Sequence, residues 1–192
     1  MKEWSIIIGN KANYGYLFAN TNWDDTIFKP LYDMKASSMY RCFMDNTSIT
    51  RLDNKYDGSP LIIDLTQLTT STSTSCLRAF YGMNNLVSIN HIISCDWAVW
   101  TDAFRACYAL ENISFSGIIG TALDIHWSTR LSRGSLLSIL NVCNKENAGV
   151  TITLPAKCID GKTVTQTYIA NDTELSTALT NANNNGYTIV YS

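Results

Sequence analysis

Three stretches of the chain carry one apolar signature: Phe43, Ile49 and Leu52, then Phe80, Leu86 and Ile89, then Phe104, Leu110 and Ile113. In each, a phenylalanine is followed six residues later by an aliphatic side chain and three later by another. Repetition on this scale constrains architecture more than any other feature, because units too small to bury their own apolar faces must stack on neighbours. Apolar residues at helical spacing (Met39/Phe43, Leu77/Phe80, Trp100/Phe104) predict a short helix ending at each phenylalanine. A polar turn follows, and Leu86-Val87-Ser88-Ile89 or Leu110-Glu111-Asn112-Ile113 then alternates as a strand does. Each unit reads as helix, turn, strand.

The phenylalanines lie 37 and 24 residues apart, against about 20–29 for a leucine-rich unit. The longer interval holds the turn signal Lys55-Tyr56-Asp57-Gly58-Ser59-Pro60 and a second apolar run, Leu61 to Leu65, so an inserted excursion accounts for it. The run Ala103-Phe104-Arg105-Ala106-Cys107-Tyr108-Ala109-Leu110-Glu111-Asn112-Ile113 resembles the unit of the BspA-like leucine-rich repeat family, Ala-Phe-x-x-Cys-x-x-Leu-x-x-Ile. The second unit has Met83 in place of the cysteine, and the first has Asn46 there and no alanine before Phe43. The resemblance spans about Met34 to Ser116. It implies an α/β repeat fold, short helix-turn-strand units stacked as a leucine-rich-repeat-like solenoid, with the nine signature residues as its structural core.

The chain divides into three parts on this reading. Residues 1–33 lack the repeat and read as a β-rich cap or docking segment, with strands at Ile6-Ile7-Ile8, Tyr14 to Phe18 and Asp24 to Phe28 before Pro30. Residues 34–130 hold the repeats. In 131–192 a helix over Leu131 to Cys143, a strand at Val150 to Leu154, a helix capped by Asp172 and Thr173, and a strand from Tyr187 to Tyr191 follow in turn. This closing helix, glycine, aromatic and strand resembles the C-terminal unit of repeat proteins from gut bacteria and their phages.

With 46% apolar residues the chain can build a core, whereas only 16% are charged and the net charge is −2. A neutral surface rich in Asn, Thr and Ser excludes the basic patch that nucleic-acid binding needs. The opening Met1 to Asn10 has too short an apolar run for a signal peptide or membrane span, so no membrane insertion, export or anchoring is expected and the start is read as unprocessed. Of the six cysteines, Cys42 and Cys107 sit beside a repeat phenylalanine, and no CxxC pair occurs. They are expected to be buried thiols.

Chemistry is sparse. His91 and His126 lie among strand-like residues without HExxH spacing, so no metal and no cofactor is expected. No GxSxG elbow or phosphate-cradling glycine motif occurs; Gly134-Ser135 opens a helix, and Asp24-Asp25 reads as solvated charge. The aromatics Trp97, Tyr108 and Trp127 are candidates for a binding surface, with Trp100 assigned to the core. The expectation is a non-enzymatic structural or recognition protein, a phage virion component contacting other virion proteins or a host glycan, with an oligomer or larger assembly in view. The alternatives are a bacterial cell-surface adhesin module and an unrecognised hydrolase.

Overall fold

The computed structural model describes residues 12–68, 74–146 and 148–192; the strand read at Ile6 to Ile8 lies outside them. The elements run β1 (Ala12–Asn13), β2 (Met34–Ser38), β3 (Arg51–Leu52), β4 (Ile62–Asp64), β5 (Ser88–Ser94), β6 (Asn112–Gly117), β7 (Leu123–Asp124), α1 (Arg133–Asn141), β8 (Thr151–Leu154), β9 (Lys157–Cys158), β10 (Thr163–Val164), α2 (Thr165–Asn171), α3 (Thr173–Asn184) and β11 (Thr188–Tyr191). The principal sheet is parallel. It is ordered β1-β2-β4-β5, with β6 on the far edge of β5. One edge of β5 takes two partners, β3 against Ser88–Ile89 and β4 against His91–Ile93. The inserted excursion from Asp53 to Leu61 carries the chain from one half of that edge to the other, through a turn closed by an Asn54–Pro60 bridge.

The molecule is a small α/β domain with a curled parallel half-barrel sheet and, among the described residues, three helices; it is not a leucine-rich-repeat solenoid, and that expectation is corrected. The predicted helices at the phenylalanines are absent, and the backbone shows why. Arg41, Arg78 and Asp102, two residues before each phenylalanine, and Asp45, Gly82 and Ala106, two residues after, all have positive φ, between 52° and 75°. A left-handed residue at every fourth position interrupts any α-helix. Each segment is instead a run of i→i+3 turns, such as Cys42 N–H to Met39 C=O and Asn46 N–H to Phe43 C=O. The remaining amides reach the neighbouring copy: Arg41, Phe43 and Asp45 donate to Leu77, Ala79 and Tyr81, and Arg78, Phe80 and Gly82 donate to Thr101, Ala103 and Arg105.

The β-rich entry over 1–33 is likewise corrected in its described part. Beyond the two-residue β1, Tyr14 to Phe18 and Asp24 to Phe28 run as turns. Phe18 is a fourth copy of the turn unit: Tyr16 and Asn20 have positive φ (59° and 53°), and Tyr16, Phe18 and Asn20 donate to Tyr40, Cys42 and Met44. Asp24 holds its own turn by accepting from Thr26 and Ile27, which keeps its carboxyl below the usual range. Asp25 accepts from the Thr50 amide and hydroxyl and from the Arg51 amide.

The core follows the turns. Phe18 stacks on Phe43 (ring centroids 5.1 Å), Phe43 on Phe80 (5.7 Å), Phe80 on Phe104 (5.2 Å) and Phe104 on Trp100 (5.9 Å). Tyr14, Met39, Cys76 and Trp100, four residues before each ring, are buried beneath it. Ile49, Leu86 and Leu110, then Leu52, Ile89 and Ile113, are buried along the sheet side. Burying each such side chain stabilises by about 1.5–3 kcal/mol, and each aromatic pair adds about 0.5–1.5 kcal/mol.

Beyond β6 the architecture changes. Helix α1, capped by Ser132, lies against the β6 edge, and its hydroxyls replace a strand partner. Ser135 Oγ accepts from the Ile113 amide (2.9 Å) and donates to the Glu111 carbonyl (2.8 Å); Ser138 Oγ serves the Phe115 amide (2.6 Å) and carbonyl (3.2 Å). A second parallel sheet, β7-β8-β11, and the β9-β10 hairpin complete the fold. Asp172 caps α3 by accepting from Glu174 and Leu175.

Candidate recognition surface

The nine signature residues are all buried, so their role is to fix the positions of the side chains that alternate with them. Positive φ turns the residue two before each phenylalanine outward, which aligns Tyr16, Arg41, Arg78 and Asp102 along one face of the turn ladder. Arg41 lies over the Tyr16 and Tyr40 rings (5.5 and 5.1 Å to the centroids) and donates to the Tyr16 hydroxyl at 2.9 Å. Tyr16 and Tyr40 meet edge to face at 5.1 Å, and their shared hydrogen bond raises the Tyr40 pKa. Arg78 lies over Tyr81 (5.2 Å), and Arg105 spans Tyr81 and Trp127 (both 5.9 Å). Asp102 sits between the two arginines, at 3.3 Å from Arg78 and 3.8 Å from Arg105.

Tyr108 and Trp127 close the same band, edge to face at 5.8 Å, and Trp127 also packs on His126 at 4.7 Å. Beside them the chain turns at the end of β7, where Asp124 accepts from the His126 amide and contacts Nδ1 at 2.6 Å. Trp97 stands apart. It is 45% exposed beside the end of β5, and among the described residues no ring contact joins it to Tyr108 or Trp127. Trp100 is buried at the end of the aromatic column.

Sequence reasoning missed the arginines and the tyrosines Tyr16, Tyr40 and Tyr81. The available signal was the residue two past each phenylalanine: Asn20, Asp45 and Gly82 belong to the types that most readily accept positive φ. Read as turns, those positions would have turned Arg41 and Arg78 outward.

His91 points out from the sheet between two serines, Nδ1 2.9 Å from Ser114 Oγ and Nε2 2.8 Å from Ser116 Oγ. A serine nucleophile works with a histidine whose second nitrogen is oriented by a third group, usually a carboxylate; here a serine hydroxyl occupies that place. Among the described residues no group of three or more His, Cys, Asp or Glu converges. All six cysteines are unpaired. Burial pushes the Cys107 and Cys143 thiols up to about 12 and raises Cys42, Cys76, Cys95 and Cys158 as well, which disfavours the thiolate at each. Comparison with protein-family models, curated proteins and solved structures finds no match.

Proposed function

We propose that the chain is a non-enzymatic recognition protein whose turn-ladder face docks a protein partner. The observation that carries this is the band of arginines stacked on exposed and half-buried aromatics: Arg41 on Tyr16 and Tyr40, then Arg78, Tyr81, Arg105, Trp127 and Tyr108 in successive contact. Tyr, Trp and Arg dominate the energetics of protein interfaces, because each offers large area with few rotatable bonds and a polar tip. Stacking also holds each guanidinium plane in place before binding, which lowers the entropy lost on docking. With 16% charged residues the chain generates little long-range steering. A partner met at close quarters within an assembly, a virion or a cell surface, fits that better than one captured by diffusion.

The test is site-specific photo-crosslinking from Tyr108 in the particles or cells that carry the protein, with affinity measurement on the partner identified. Truncating Arg105 or Tyr108 to alanine should weaken binding by about 2 kcal/mol or more, while Trp97→Ala leaves it unchanged. A partner that binds all three variants equally refutes the assignment of this face.

A further inference from the structure

Two separate demands of the fold set an asparagine beside a glycine at the end of α3. The helix closes in a Schellman turn: the Gly186 amide donates to the Asn183 carbonyl (3.0 Å) and the Tyr187 amide to the Ala182 carbonyl (3.1 Å), with Gly186 at φ 86°. That left-handed position favours glycine. The residue before it, Asn185, is the C-cap of α3 and reaches across to the loop after α1. Its Nδ2 donates to the Cys143 carbonyl (3.1 Å), and its own carbonyl accepts from the Ala148 amide (3.0 Å). Asn185-Gly186 is the one Asn-Gly pair in the chain.

In such a pair no side chain shields the second backbone nitrogen, which can attack the asparagine carboxamide. The Gly186 N–Cγ bond forms, the Cγ–Nδ2 bond breaks, and Nδ2 leaves as ammonia with the proton that Gly186 gives up. A five-membered succinimide remains. Water then adds to either of its carbonyls and opens the ring to aspartate or, with the main chain rerouted through the side chain, to isoaspartate. In the folded chain this closure is opposed twice. It needs the Gly186 nitrogen and the Asn185 Cβ on the same side of the Cα–C bond, and with Asn185 at ψ 3° they are turned apart. The Gly186 N–H and the Asn185 Nδ2 are also both engaged in the hydrogen bonds above. Water reaches the site through a polar cleft of about 300 Å³ lined by Asn141, Cys143, Asn144, Asn181, Asn184 and Asn185.

We propose that Asn185 is a deamidation site gated by the α3 cap: silent while the Schellman turn holds, and converted once the turn opens to a product that keeps it from re-forming. Aspartate at this position replaces a donor by an acceptor facing the Cys143 carbonyl. It also sets a negative charge at the carbonyl end of α3 and beside that of α1, where both helix dipoles oppose it. Lys145, two residues on from Cys143, is already held by both Asp96 oxygens (2.7 and 2.9 Å). Isoaspartate adds a carbon to the main chain between α3 and β11. On that short link depend the Tyr187 amide bond, the Tyr187 hydroxyl on the Ile119 carbonyl (2.7 Å) and the register that sets Thr188 opposite Thr151. Loss of ammonia makes the step one-way, so the residue records each opening of the cap. The site does not rest on the docking proposed for the turn-ladder face.

Incubating the intact chain in mildly alkaline buffer with and without urea, then following each asparagine peptide by mass spectrometry, tests the site and its gate. In urea the Asn185 peptide should convert to its aspartate and isoaspartate forms ahead of every other asparagine peptide, and in the folded chain at least tenfold more slowly. Leu175→Ala, which removes a buried side chain from α3, should speed conversion in the folded chain and leave the rate in urea unchanged. Equal rates folded and in urea overturn the gate, and another asparagine converting first in urea overturns the site. The product's effect is read by comparing Asn185→Asp with Asn185→Ala, which loses the donor without adding charge. Asn185→Asp should melt below Asn185→Ala and show faster hydrogen exchange at the Tyr187 amide; melting with wild type overturns the proposed block to re-forming. Wild-type chain deamidated in urea and then refolded gives the same reading without a substitution. A Tyr187 amide protected there as in unconverted chain overturns it equally.

Discussion

In the turn units around Phe18, Phe43 and Phe80 the backbone amides alternate between i→i+3 turns and bonds to the neighbouring copy, whereas helices α1, α2 and α3 keep their amides local. Both regions bury an apolar face, yet their dependence on neighbours differs. A helix that loses its packing partner still has its own hydrogen bonds. A turn copy that loses the adjacent copy leaves a row of amides unpaired, each costing about 1–3 kcal/mol if buried. The turn region is therefore expected to unfold as one unit, set by its aromatic column, while the helical region answers to helix propensity and capping.

The largest effect should come from the middle of the column. Phe80→Ala removes a ring stacked on both sides and should cost about 3–5 kcal/mol, read from urea unfolding. A loss under about 1 kcal/mol, the scale of an exposed substitution, would mean that the column does not hold the turn region together.

Glycine substitution should give effects of opposite sign in the two regions. Ala178, buried within α3, should lose about 1 kcal/mol from propensity alone on replacement by glycine. Ala106, at φ 62°, sits where an L side chain costs about 1–2 kcal/mol; Ala106→Gly relieves that, less about 0.4–1 kcal/mol of added unfolded-state entropy. Thermal melts should show Ala106→Gly equal to or above wild type and Ala178→Gly below it. The same sign for both would remove the distinction.

The smallest effect is the acid response of the helical region. Arg133 of α1 donates two bonds to Asp172 (2.7 and 3.0 Å) and one to Glu174 (2.7 Å), and holds the Asp172 carboxyl down from 3.8 to about 2. A depressed carboxylate contributes stability that is complete above its unfolded pKa and is lost as pH falls through the folded one. The stability difference between wild type and Asp172→Asn should therefore shrink between about pH 4 and pH 2 and be flat above that range. A difference independent of pH over that interval would show that the Arg133 contact adds nothing to the cap.

What the sequence exposed and what it hid divide along the same line. The helix at 131–143, the strand at 150–154, the Asp172 cap and the final strand are local patterns, and the structure has α1, β8, α3 and β11 there. Spacing located Phe43, Phe80 and Phe104 but not the backbone around them, because apolar residues three or four apart suit either a helix or a run of turns when the segment is one turn long. Phe18 escaped since Asp24 stands where the later copies have their first aliphatic; Ile27 holds the second place in the sequence but is exposed, and Phe28 packs there instead, 4.7 Å from Phe18 and 5.4 Å from Phe43. Tyr108 and Trp127 could be read as neighbours. The arginine band depends on φ signs that no local pattern of apolar residues carries.

The serines that α1 sets against β6 also impose an order of events during synthesis. Until residues 133–141 have left the ribosome and coiled, the Ile113 and Phe115 amides face outward as a bare strand edge, open to pairing with another nascent chain. Chains cut short before Arg133 would carry that edge permanently. The two hydroxyls thus act as a stop signal written into the backbone ladder, delivered only when translation has passed it.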